Sequence, residues 1–64
     1  MNQFEKDLVL RTFLKCFGLR GALLKENDKL LREASIDSLA RQSGLRKEFI
    51  EDNLEEILNF PQRN

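Results

Sequence analysis

Arg46-Lys47-Glu48-Phe49-Ile50-Glu51-Asp52-Asn53-Leu54-Glu55-Glu56-Ile57-Leu58-Asn59-Phe60 is the stretch that decides the fold class. At about 100° per residue, Phe49, Ile50, Leu54, Ile57, Leu58 and Phe60 fill one half of a helical circumference. Glu48, Glu51, Asp52, Glu55 and Glu56 fill the opposite arc, with no basic residue among them. A strand, with its period of two, would scatter both sets over both faces. The segment therefore reads as an amphipathic helix over 46–59, apolar side inward and carboxylates outward. Pro61 is expected to prevent its continuation. Asn53 points into the apolar half, where an unpartnered amide would cost about 1–3 kcal/mol. It is expected to bond a nearby backbone group or to lie at the edge of the face. A polar residue in an apolar seam also fixes the register of a helix pair.

Upstream, Gly44 ends a short helix over 36–43, for which Ser35 is a suitable cap. A helix over 22–34 places Leu23, Leu24, Leu30, Leu31 and Ala34 on one side and Lys25, Lys29 and Arg32 on the other. Asn27-Asp28 is a candidate break within it. Gly18-Leu19-Arg20-Gly21 reads as a turn. The first helix covers 3–17, with Asn2 and Glu5 spaced as a capping box and Gly18 suited to the left-handed position past its end. Only Val9, Thr12, Ile36, Ile50 and Ile57 are β-branched, which disfavours strands.

Residues 36–55 resemble the helix-turn-helix motif. Leu39 and Ala40 fall on its first helix, Gly44 at its turn, Leu45 just after it and Ile50 on its second helix. The resemblance implies that the alanine lets the helices approach, the glycine takes the turn and the apolar positions lock the pair. The expected architecture is all-α: three to four short helices (3–17, 22–34, 36–43, 46–59) in a small orthogonal bundle with a helix-turn-helix-like C-terminal half, one domain over 1–64.

A 64-residue chain has a thin stability margin, since a lone core of this size rarely supplies more than about 3–5 kcal/mol. One cysteine, Cys16, and no histidine leave no internal disulfide and no zinc site. A second subunit is the remaining reinforcement. The first helix carries more apolar surface than one stripe needs. Val9, Leu10, Phe13, Leu14, Cys16 and Phe17 share a broad face, and Phe4 and Leu8 point about a third of a turn or more away. The reading is a homodimer or an obligate partner, with Phe4, Leu8, Phe13 and Phe17 at the interface. The competing reading folds all four into a monomer core.

Catalytic chemistry is not expected. Ser35, Ser38 and Ser43 have no histidine to activate them. Cys16 lies on an apolar face, which blunts a thiol. The paired carboxylates sit on a convex helix, where little raises a pKa for acid catalysis. No phosphate loop or dinucleotide fingerprint occurs. The expectation is no enzyme, no cofactor, no metal and no small-molecule substrate. No run of 18 apolar residues suggests a membrane span. The first residues lack the pattern of a secretory signal, and a lone thiol suits a reducing compartment, so the expected location is cytoplasmic.

Two function classes remain. The first is a small regulatory or adaptor protein that self-associates and docks a basic protein surface on Glu48, Glu51, Asp52, Glu55 and Glu56. An inhibitor of a nucleic-acid-binding protein is one concrete version. The second is a dimeric helix-turn-helix transcriptional regulator with Arg46 and Lys47 on DNA. It is less favoured, because a DNA-reading helix presents its outward residues to phosphates. Here those positions are Arg46, Lys47, Glu48, Glu51, Asp52 and Glu55, mostly acidic, and affinity for DNA rests on lysines and arginines displacing counterions. Overall charge is zero. Residues 1–34 hold seven basic and five acidic side chains, so Arg20, Lys25, Lys29 and Arg32 form a modest basic patch at most.

Overall fold

The computed structural model describes residues 1–60. Pro61 lies outside the described residues. The chain is all-α, with α1 Gln3–Lys15, α2 Leu19–Leu23, α3 Lys29–Ser43, α4 Lys47–Asp52 and α5 Leu54–Leu58, and with no strand among the described residues.

α1 starts as its sequence dictates. The Asn2 side chain accepts from the Glu5 N–H at 2.8 Å, and the Glu5 carboxylate accepts from the Asn2 N–H at 3.0 Å. Two of the first-turn N–H groups that no helix can satisfy internally are thus paired. Gly18, at φ 87°, takes the left-handed conformation and redirects the chain into α2.

The middle of the chain divides differently from the expectation. Residues 22–34 and 36–43 are not two helices. Leu19–Leu23 is already helical, so the turn is Cys16-Phe17-Gly18 and Gly21 sits inside α2. The break spans Leu24 to Asp28, including the expected Asn27-Asp28, and Asp28 caps α3 by accepting from the Leu31 N–H at 2.9 Å. α3 then runs unbroken through Ser35, whose hydroxyl donates to the Leu31 carbonyl at 2.7 Å. A serine hydroxyl bonds backbone in either role, and six residues of uninterrupted helix before it select the mid-helix one. Gly44, at φ 81°, ends α3 as expected.

Residues 46–59 form one helical path distorted at Asn53. The Asn53 amide donates to the Phe49 carbonyl at 2.8 Å. Its backbone N–H also reaches Phe49 O and Ile50 O, at 3.1 and 3.2 Å. The expected backbone bond is made, and Asn53, at φ −112° and ψ 17°, separates α4 from α5.

Val9, Leu19, Leu23, Ile36, Leu39, Ile50 and Ile57, one or two from each helix, form the buried core with Phe60 just beyond α5. α3 is the hub: α1, α2 and α4 all pack on it, and α5 follows α4. Three hydroxyls are buried with them, Thr12, Ser35 and Ser43. Each donates to the carbonyl four residues back in its own helix, at 2.9, 2.7 and 2.6 Å. None therefore carries the desolvation cost of an unmade bond.

Candidate functional site

α4 and α5 carry the acidic arc. Glu48, Glu51, Asp52 and Glu55 are exposed and make no ion pair among the described residues. Glu56 is different. It is half-buried, 3.2 Å from the Met1 amine and 3.6 Å from Lys6 Nζ, and so ties α1 to α5. The expected five-residue docking face is four carboxylates, with the fifth used internally.

Lys47 and Arg46 open α4. Lys47 Nζ lies 3.2 Å from Asp37 Oδ1 on α3. The Asp37 carboxylate, by hydrogen bond and by charge, raises the Lys47 pKa above the ordinary lysine value. That contribution is complete at neutral pH and fades only when pH rises through the raised value. Asp37 therefore competes with any anion for Lys47. Arg46 is exposed. The apolar positions of the helix-turn-helix resemblance pack as it implies: Leu39 and Ile50 are buried, and Ala40 and Leu45 lie half-buried against the core.

The four aromatic and leucine positions expected at an interface separate into two pairs. Phe4 and Phe17 are 71% and 93% exposed. Leu8 is half-buried, and Phe13 packs against the core. The sequence missed Leu14, which is 73% exposed, and Leu10, also exposed. The sequence puts both on one broad face with Val9, Phe13, Cys16 and Phe17, whereas in the structure Val9, Thr12 and Cys16 set the core side and turn Leu10 and Leu14 away. Leu24, Leu30, Leu31 and Ala34 are likewise exposed rather than lining a core, and Leu30 is 81% accessible. Only Leu23 of that row is buried.

Arg20 is not part of a surface basic patch. Its Nη2 donates to the carbonyls of Leu58 and Phe60, both at 2.7 Å. A cation at the end of α5 satisfies carbonyls that the helix leaves open and complements its dipole. Lys25 and Lys29 stay exposed and Arg32 half-buried, so the patch shrinks to these three.

Two shallow depressions mark the surface, one along Leu24 to Asp28 and one lined by Asp37, Ala40, Arg41 and Lys47. Among the described residues, no three or more His, Cys, Asp or Glu side chains converge as metal ligands. None of the described helices is long and apolar enough to cross a membrane. No family model, curated protein or solved structure matches the chain.

Proposed function

We propose that this chain is a small non-catalytic regulatory or adaptor protein that acts by binding other protein surfaces. One observation carries the reading. Four large apolar side chains, Phe4, Leu14, Phe17 and Leu30, are each more than 70% exposed on a chain whose core holds eight residues. Scattered apolar residues are ordinary on surfaces, but this much apolar surface on so small a body favours contact with another chain. Self-association through α1 is one such contact. The exposed carboxylates of α4 and α5 supply a second, suited to a basic partner such as the nucleic-acid site of another protein.

The test combines two measurements. Immobilised protein is expected to retain a basic partner from host extract in a salt-sensitive manner. Reversing Glu51, Asp52 and Glu55 to lysine should abolish that retention while leaving helicity intact by circular dichroism. Retention that survives the reversal removes the acidic face from the account. In parallel, a duplex titration at low salt is expected to show no tight binding.

The second reading, a helix-turn-helix DNA reader, is favoured by the packed α3–Gly44–α4 unit. Against it stand a six-residue α4, four exposed carboxylates and a Lys47 already engaged by Asp37. Salt-sensitive duplex binding lost on replacing Arg46 and Lys47 would favour it over the first.

A further inference from the structure

Phe4, Asp7, Arg11 and Leu14 follow one another on α1 at spacings of three, four and three residues. At about 100° per residue these four fall within an arc of about 80°. The buried Val9 lies about half a turn from the middle of that arc, so the stripe faces away from the core. Phe4, Arg11 and Leu14 are exposed and Asp7 is half-buried. Asp7 accepts from Gln3 Nε2 at 3.0 Å and makes no ion pair with Arg11. Leu10, exposed, flanks the stripe.

The order of these side chains is self-complementary when reversed. Phe4 and Leu14 are equally distant from the level of Val9, and so are Asp7 and Arg11. A second α1 laid antiparallel, with a two-fold axis at that level, sets Phe4 against Leu14 of the second copy. It also sets Asp7 against Arg11 of the second copy. Two apolar layers then enclose two acid–base layers, all at heptad spacing. A parallel pairing would instead place Asp7 beside Asp7 and Arg11 beside Arg11. An isologous interface needs a patch that matches itself, and this one does so in one orientation only.

We infer that a second copy of this chain covers α1, antiparallel, through the stripe Phe4–Asp7–Arg11–Leu14. The inference specifies the self-association part of the function proposed above and rests on it. It shifts the contact from Phe13 and Phe17 to the side of the helix opposite the core.

Charge reversal tests it. Wild-type protein is expected to run as a dimer by sizing with light scattering. Asp7→Arg alone and Arg11→Asp alone each oppose like charges and should weaken the dimer about tenfold or more. The double variant Asp7→Arg/Arg11→Asp should restore it. An equimolar mixture of the two single variants should form a mixed dimer. Circular dichroism confirms that each variant stays helical. A second, charge-independent test uses Cys16→Ser as background. Phe4→Cys mixed with Leu14→Cys should form a disulfide across the pair. Phe4→Cys alone should not, because its two copies would lie about 15 Å apart along the helices, beyond disulfide reach. A wild type that stays monomeric at high concentration overturns both the stripe and self-association. A dimer indifferent to both single reversals, or one that the double variant fails to recover, overturns the stripe alone and leaves self-association through another face standing.

Discussion

Arg20 shows how one side chain can connect distant parts of a small chain. It reaches 38 and 40 residues ahead to two carbonyls at the end of α5. Its Nε is buried without a partner among the described residues, so the clamp is not free of cost. Removing a charged donor from such carbonyls costs about 1.5–3 kcal/mol. Arg20→Ala should therefore lower unfolding stability by about that much in a urea titration. A change under about 0.5 kcal/mol would mean that water replaces the guanidinium at no penalty. Nothing near Arg20 in the sequence announces this role. Its neighbours spell a turn, and the partner groups are backbone atoms with no residue signature. The Asn2–Glu5 box was legible because both ends of the interaction lie within four residues. Ser35 was misread because its hydroxyl serves a cap and a mid-helix bond equally well.

At the level of elements, the junction from α3 to α4 depends on Gly44. The backbone there is left-handed, and a Cβ would meet no atom within 4 Å. Gly44→Ala thus isolates conformational strain from crowding. The substitution should destabilise by about 1–2 kcal/mol, read as a shift in denaturation midpoint with unchanged slope. A neutral effect would mean that the junction relaxes out of the left-handed region. The helical nature of 46–59 and its inward side were legible from period alone, since its acids and its apolar residues occupy separate arcs. α1 was not so simple. Apolar side chains stand on both sides of it, and periodicity cannot choose which side meets the core. Thr12, which hides its hydroxyl against its own helix, supplied the missing edge of the buried face. For that reason the sequence groups Leu10 and Leu14 with Val9 on one broad face and does not single them out.

For the molecule as a whole, the candidate surfaces lie on opposite ends of the chain order. α1 offers apolar layers with a matched acid and base, and α4–α5 offer carboxylates. If two copies pair through α1, folding and association are linked, and the melting temperature depends on protein concentration. A rise of several degrees across about a hundredfold range of concentration is expected for wild type, since about 1 kcal/mol moves the Tm of so small a domain by roughly 4–8 °C. The Asp7→Arg variant, its dimer weakened, should melt lower than wild type at each concentration and lose the dependence at the dilute end of the range. The same dependence in both would place the contact elsewhere. The spacing of Phe4, Asp7, Arg11 and Leu14 is legible in the sequence, but that this stripe faces away from the core is not, and it took the burial of Val9 to single it out.

α5 is the last described helix, yet it receives Arg20 from α2 and Lys6 from α1, and with Phe60 just beyond it contributes two of the eight core side chains. During synthesis the earlier helices emerge first and have nothing to close against. Ile57 and Phe60 must clear the ribosome before the apolar sides of α1 to α4 can be sealed. A nascent chain that has not yet released residue 57 is accordingly an open set of helices, its apolar sides exposed to chaperones.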